Sequence, residues 1–585
     1  MCFCFNQHFL REVCGGCSLK GCCCMGKVIA SLDPVGLSSF YWSQGLKNEL
    51  ICDSSFKSLL EKMELPFVLS PESIHSYLHH MCVAPMTPLQ DCWSLLPGHR
   101  LLLEDSGDVR IERYWSVEES PAIPNASSCD PVLMIREQLL KSVEKAADSG
   151  STIGVPLSGG LDSSIVACVL KHLGVPFTAF TVGWKGHPRT DERKLAEQLV
   201  EYLDIPHVEM ELDTKSLVEN FPDVVAALEV PIADITAYAF YELFRRMRED
   251  GVTLCLSGDG ADELFWGGEW ARDAVRENEL AAQFKEKYKV GKKGLSLKDS
   301  AVLFLKCLYP IDGFYGAGET LKDWLMLMRP LRRRYPYAKA AFGRIEKILS
   351  SYRELGVKTR VFYDLNPEYM EAEYLLPQFY KKDFFEKVRH ASLEFPCFLE
   401  DEVSVDVLVT GMSFRSFLLE NDLRERHNIA RNTGGVRISC PFLDVDMIET
   451  VVGLRRYYPD WRWGRKFWLK EAMKDFVPQF VLSRRKKQGF EPPVAVWVKA
   501  LFEHYGSRIL DGVLSQQNIF TEEGLKTLSL GAGIEAQALD GSSLKMKYLP
   551  WKALVLEMWS EWARSIRGKG NQGYDNGQKC GKLSL

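Results

Sequence analysis

Residues Ser158 to Ser164 read Ser-Gly-Gly-Leu-Asp-Ser-Ser and lie between the apolar run Ile153 to Leu157 and the apolar-periodic stretch Ile165 to Leu173. The pattern predicts a strand, a glycine turn and a helix. A Gly-Gly pair lets the backbone pass close to a phosphate chain. The helix that follows turns its unpaired N–H groups and positive dipole end toward the same anion. Ser158, Ser163 and Ser164 add hydroxyl donors around Gly159, Gly160 and Leu161. Asp162 is out of place beside a polyphosphate unless a divalent cation sits between them, which makes it a candidate magnesium ligand. A Walker loop carries Gly-Lys-Ser/Thr after its glycines, whereas this chain carries Leu161-Asp162-Ser163.

A second turn of the same kind follows the apolar run Val252 to Leu256, reading Ser257-Gly-Asp-Gly-Ala-Asp-Glu-Leu-Phe265. It holds three carboxylates, Asp259, Asp262 and Glu263, where a bare phosphate loop would want none. A magnesium-pyrophosphate group held between Asp162 and Asp262 resolves the conflict and leaves Asp259 for another task. The competing reading is an acidic helix N-terminus favoured by the helix dipole.

A chain of 585 residues exceeds one hydrophobic core, so two or three domains are expected, and 46% apolar residues suffice to fill them. The net charge of -6 gives no sign of a nucleic-acid or membrane-surface partner. The short basic run Arg329 to Arg334 reads as a solvated helix end. No apolar run reaches the roughly 18 residues of a membrane span, and polar residues interrupt the N-terminus, so a cytoplasmic enzyme is expected. Of 17 cysteines, seven fall in the first 24 residues. In such a compartment that suggests metal before disulfide. Cys14-Gly-Gly-Cys17 has zinc-ligand spacing, but Cys22 to Cys24 are contiguous and make no second pair. A disordered leader over 1–25, or a start at Met25, is the favoured reading.

Residues 26–121 alternate as short strands at Val28 to Leu32, Ser39 to Ser43, Leu50 to Cys52, Arg100 to Glu104 and Val109 to Tyr114, with helices at Ser55 to Met63 and Ser73 to His80. This is a small α+β domain, followed by a Pro/Ser/Asn-rich linker from Glu119 to Asp130. From 131 to about 270 strand and helix alternate, which implies a doubly wound parallel sheet with ligands at the carboxyl ends of its strands. The chain is then mostly helical to 565, and 566–585 reads as a disordered tail.

Four segments together carry a family resemblance: Ser158 to Ser164, Ser257 to Phe265, Cys440-Pro-Phe-Leu-Asp444 and Lys487-Gln-Gly-Phe490. Their order and spacing resemble the synthetase domain of asparagine synthetases, expected over residues 131–565, and the likeness as a whole covers about residues 26 to 565. Phe180-Thr-Val-Gly183, Thr190-Asp-Glu192 and Glu229 to Asp234 are also similar to segments of that family. The resemblance implies an α/β fold of the ATP pyrophosphatase (adenine nucleotide alpha hydrolase-like) type, with ATP and Mg2+ as cofactors. It implies that Ser158 to Ser164, Val182, Ser257 and Gly258 bind the nucleotide and that Asp162 and Asp262 hold the metal. It further implies that Lys487 stabilises charge on the adenylate and that Asp259, matching a family glutamate, helps the attacking amine. A surface basic cluster, Arg484 to Lys487, is the competing reading of that lysine.

Two departures bear on the substrates. Family members that hydrolyse glutamine begin Met-Cys-Gly-Ile and use the Cys2 thiolate as nucleophile. Here Phe3 follows Cys2, and Gly26 to Trp115 resembles only the later part of a glutaminase domain, through Pro97-Gly-His-Arg100 and Arg113-Tyr-Trp115. Glutamine hydrolysis is therefore not expected. The second departure is at Arg437-Ile-Ser-Cys-Pro-Phe-Leu-Asp444, where the family reads Glu-Val-Arg-Val-Pro-Phe-Leu-Asp. Ser439 stands where an arginine could grip a second carboxylate.

The expected activity is ATP-dependent, AMP-forming amide synthesis through an acyl adenylate, with a carboxylate substrate and an amine or ammonia. Three readings stand: an asparagine synthetase acting on aspartate; a peptide or small-molecule amide synthetase, such as a lasso-peptide macrolactam synthetase with a peptide substrate and protease partner; and a non-catalytic descendant. A homodimer is possible in each.

Overall fold

The computed structural model describes residues 27–45, 49–64, 66–80, 85–104, 107–121, 123, 129–147, 150–187, 192–267, 368–389, 410, 414, 423–455, 457–458, 466–484, 492–533, 535–537 and 543–572. The cysteine-rich stretch 1–25, the basic run Arg329 to Arg334 and Lys487 lie outside them.

The N-terminal part holds six short strands: β1 (Lys27–Ser31), β2 (Tyr41–Gln44), β3 (Leu50–Asp53), β4 (Cys92–Ser94), β5 (His99–Leu103) and β6 (Val109–Arg113). They make two antiparallel sheets ordered β1-β5-β6 and β3-β2-β4. The β5–β6 hairpin closes where its turn residues predict, with Gly107 at φ +89° and the Glu104 amide donating to the Asp108 carbonyl at 2.9 Å. β4 was not anticipated. Three residues are too few to show an alternating pattern, and the strand exists because Trp93 stacks on Trp42 across the pairing, ring centroids 4.5 Å apart. Helices α1 (Phe56–Lys62) and α2 (Pro71–His80) complete this part. The Ser55 hydroxyl caps α1 by accepting from the Ser58 amide at 3.2 Å.

The five strands that follow form one parallel sheet: β7 (Ile153–Pro156), β8 (Phe177–Trp184), β9 (His207–Leu212), β10 (Leu254–Leu256) and β11 (Arg437–Ser439). Their order is β11-β10-β7-β8-β9. The chain begins in the middle, winds outward through β8 and β9, then returns to the far side of β7. The loops after β7 and β10 therefore diverge over a switch point, the place where such sheets bind ligands. All three residues of β10 are buried, as a central parallel strand requires. The α/β reading holds, with one addition. The fifth strand lies far beyond the βαβ run of 131 to 270, and only its pairing with β10, which sets Arg437, Ile438 and Ser439 beside Leu254, Cys255 and Leu256, makes it part of the sheet.

Helices α3 (Pro131–Ala146), α4 (Leu161–His172), α5 (Arg193–Leu203), α6 (Thr214–Leu228) and α7 (Ala237–Glu249) connect and cover these strands. Asp130 caps α3 through the Val132 amide at 2.8 Å, and Asp213 caps α6 through the Ser216 amide at 2.8 Å. The helix Leu549–Gln572 packs Trp551 and Trp559 inward, their indole N–H groups donating to the Ala233 and Glu229 carbonyls at 2.8 Å each. It carries the chain past residue 566 to Gln572, where disorder was expected, as the continuation of a helix whose inner face packs into the core as far as Ile566.

The N-terminal strands are fastened to the parallel-sheet part through Glu229. Its carboxylate accepts from the Phe56 amide at 2.7 Å, the Ser55 hydroxyl at 2.8 Å and Arg431 Nη2 at 2.7 Å. Glu229 is 1% exposed and sits at φ +60°, a conformation a non-glycine residue keeps only when its surroundings enforce it.

Candidate active site

The turn after β7 is held by its own serines. Ser158 Oγ accepts from the Gly160 amide at 3.2 Å and lies 3.2 Å from Ser163 Oγ, which also accepts from the Ser158 amide at 3.3 Å. Gly159 is required twice over. Its φ is +70°, and a Cβ there would lie 2.7 Å from the Leu195 carbonyl carbon and 2.8 Å from the Ala196 nitrogen, both backbone atoms of α5. Gly160 is the N-cap of α4, with no side chain capping it, so that helix opens toward the turn.

The turn after β10 abuts the first one. A Cβ on Gly258 would sit 2.9 Å from the Asp162 carbonyl carbon and 3.0 Å from its Cβ. Gly260, at φ +91°, leads into the short helix α8 (Ala261–Leu264), which carries Asp262 and Glu263. Buried Arg455 supports that helix from below. It donates to the Leu264 carbonyl at 2.6 Å and to Thr410 Oγ1 at 2.9 Å, with its guanidinium 4.2 Å above the Trp266 ring.

The two carboxylates expected to share a cation do converge on one. The Lys466 ammonium donates to Asp162 Oδ1 and Oδ2 at 2.5 and 2.6 Å and lies 2.7 Å from Asp262 Oδ1. Lys466 is 6% exposed. Burial alone would push its ammonium below the ordinary lysine range, but the attraction of Asp162 and Asp262 outweighs it and holds the group above that range. Among the described residues no third carboxylate, histidine or cysteine joins the pair.

Asp259 is engaged elsewhere. Arg426 Nη1 donates to its Oδ1, and the Ser257 hydroxyl donates to its Oδ2 at 2.8 Å. Arg426 comes from the helix Leu423–Gly434, with its guanidinium 4.5 Å over the Phe240 ring. Arg484, which the competing reading of Lys487 put in a surface basic cluster, reaches the first turn and donates through Nη1 to the Gly159 carbonyl. Val182 is buried in β8, paired with Met210, and the neighbouring Thr181 hydroxyl donates to the Leu157 carbonyl at 2.8 Å. Ser164 is also buried, below the turn, within α4.

The structure thus brings together Ser158 to Ser164, Ser257, Gly258, Asp259 and Asp262, while Lys487 lies outside the described residues. Sequence reasoning assigned no role to Lys466, Arg426 or Arg484. Nothing local distinguishes these three from other basic residues on or beside helices, because their role depends on which loop they meet.

The Ser439 departure gains a location. β11 runs so that Arg437 opens the strand at its amino end, donating to Ser151 Oγ at 2.8 Å, while Ser439 lies at the carboxyl end and accepts from the Ser257 amide at 3.0 Å. Arg437 therefore faces away from the two turns, and Ser439 adjoins the second.

The family profile of asparagine synthase matches residues 134–561, most of the chain and all of the parallel sheet. The chain belongs to the asparagine synthase family. Among related proteins of this kind, asparagine synthetase [glutamine-hydrolyzing] 1 of Bacillus subtilis is 22% identical over 531 residues, covering 90% of this chain and 74% of its own length. The nodule asparagine synthetase [glutamine-hydrolyzing] of Pisum sativum is 27% identical over 340 residues, covering 54% of this chain and 50% of its own. Amidase chry2 of Gibberella zeae is 26% identical over 273 residues, covering 44% of this chain and 39% of its own. The match thus spans half or less of the pea and Gibberella proteins. Membership of this family supports a ligase that forms C–N bonds. Among the described residues, no helix is long and apolar enough to cross a membrane.

Proposed function

We propose that this chain activates a substrate carboxylate with ATP, releases pyrophosphate, and passes the acyl group of the resulting adenylate to an amine, leaving AMP. One observation carries the reading: two glycine turns at the switch point of a parallel sheet bring Asp162 and Asp262 onto a single cation. A phosphate site with two carboxylates makes sense only if positive charge lies between them and the anion.

The Lys466 ammonium stands in that position, so the pair fits a Mg2+ ion. When bound, the ion would neutralise charge on the departing pyrophosphate. The remaining work falls to the chain's own groups. The Gly159 and Gly160 backbone, the Ser158 and Ser163 hydroxyls and the start of α4 hold the phosphates. The strand around Val182 would hold the adenine. Lys487 supplies a point charge at the bond that breaks. Asp259, fixed by Arg426 and the Ser257 hydroxyl, orients the incoming amine.

Of the possible acids, a peptide or small-molecule carboxylate is favoured over aspartate. The observation behind this preference is the β11 end, where Ser439 rather than an arginine adjoins the second turn and Arg437 lies at the opposite end of the strand. A fork of guanidinium donors is the usual grip for a second carboxylate, and serine supplies one hydroxyl.

The test is to incubate the full chain with ATP, Mg2+, ammonium and a panel of acids that includes aspartate, and to separate the nucleotides. AMP and pyrophosphate in equal amounts are expected, without ADP. ADP as the main product would overturn the reading. Amide formation from aspartate in preference to every other acid would overturn the substrate preference alone.

A further inference from the structure

Lys466 lies between Asp162 and Asp262, with its ammonium within 2.7 Å of both carboxylates. The contact is built rather than incidental. Lys466 is 6% exposed, and it holds φ +52° immediately before the helix Phe467–Met473, a backbone strain that lysine has no intrinsic reason to accept. The space around it is already full. A Cβ on Gly267 would come within 2.5 Å of Lys466 Cε, and the Gly267 amide donates to the Asp262 carbonyl at 2.8 Å.

We infer that Lys466 is an internal cation that occupies the metal position between Asp162 and Asp262 in the nucleotide-free protein, so that Mg2+ enters only together with the polyphosphate. This inference rests on the metal reading of the preceding section. Charge gives the reason. Mg2+ arriving alone would have to displace the buried ammonium from between the two carboxylates and leave it without their charge. A pyrophosphate or triphosphate arriving with the ion brings the negative charge to which the ammonium can turn when Mg2+ takes its place between the carboxylates. Nucleotide and metal then bind as one unit. The carboxylates also remain close together when the site is empty, instead of repelling each other.

The experiment is a calorimetric titration of the full chain with Mg2+ alone, with pyrophosphate alone, and with Mg2+ in the presence of pyrophosphate, repeated for Lys466→Met and Lys466→Gln. The wild-type chain is expected to bind no Mg2+ alone and to bind Mg2+ and pyrophosphate together, each heat being read against the same titration without protein because the two also associate in solution. Either variant that folds is expected to bind Mg2+ alone through a site that a further Asp162→Asn substitution removes. Binding of Mg2+ alone to the wild-type chain would overturn the inference and leave the metal reading intact. Absence of Mg2+ binding under every condition would overturn both. Since the first comparison uses only the wild-type chain, it decides the matter even if neither variant folds.

Discussion

Arg426 and Asp259 are 167 positions apart in sequence and form an ion pair in the fold, with Arg426 Nη1 donating to Asp259 Oδ1. The helix that supplies Arg426 also holds the N-terminal strands. Arg424 donates to Ser94 Oγ at 3.0 Å, the Ser39 hydroxyl donates to Asn428 Oδ1 at 3.2 Å, and Arg431 reaches Glu229. One rigid element therefore touches the β10 turn on one side and the antiparallel sheets on the other.

Removing Arg426 leaves the Asp259 charge against buried Cys255 and Cys440. The pair is only partly reached by solvent, at 15% and 18% side-chain exposure, so Arg426→Met is expected to lose about 2–3 kcal/mol of stability. Arg426→Lys, which keeps the charge but not the planar fork, should recover part of it. Urea unfolding midpoints measure both. A loss no larger than that of an exposed pair would show Asp259 to be solvated.

The two candidate metal ligands give a sharper outcome. Asp162→Asn and Asp262→Asn are each expected to lower ATP-dependent pyrophosphate release by at least about 100-fold, the order seen when one charge-stabilising group is removed from a reacting site. Near-UV circular dichroism should stay native, because asparagine keeps the shape of the side chain. Near-normal release from either variant would remove that residue from the metal site.

Gly159 tests the cradle by shape alone. Alanine there must hold φ +70° and push its methyl into the Leu195 and Ala196 backbone, so Gly159→Ala should cost at least about 2 kcal/mol and displace the first turn. Alanine at Gly174 is the control. That glycine has a similar φ of +68°, but nothing lies within 4 Å of its Cβ position, so only the backbone term applies. Equal losses at the two positions, by thermal melting, would show that contact with α5 contributes nothing.

Glu557 sets a pH dependence away from the site. Burial raises its carboxyl from 4.5 to about 7, against the opposing hydrogen bonds from the Leu514 and Val513 amides at 2.9 and 2.6 Å. The folded chain therefore keeps a proton that the unfolded chain gives up. The stability linked to that proton is complete below about pH 4.5 and is lost as pH rises through about 7, roughly 3 kcal/mol in all. Denaturant midpoints across this window should fall as pH rises, and Glu557→Gln should flatten that component. An unchanged slope in the variant would assign the dependence to other groups.

Much of this protein is written locally. The serine, glycine and aspartate pattern from Ser158 to Ser164 makes its own strand, turn and helix cap with side chains no more than five positions apart, so no distant contact is needed to recognise it. The same holds for the Asp105 to Asp108 hairpin and for the caps at Ser55, Asp130 and Asp213. The order of the sheet, and the cations delivered to the turns, are not local. β11 joins β10 from about 180 positions away, Lys466 reaches Asp162 across 304 positions, and Arg484 reaches Gly159 across 325. Nothing in their neighbouring residues marks these side chains. Which amine fills a carboxylate pair is decided by how the helices pack once the sheet has formed, and packing depends on shape summed over the whole core rather than on any short pattern.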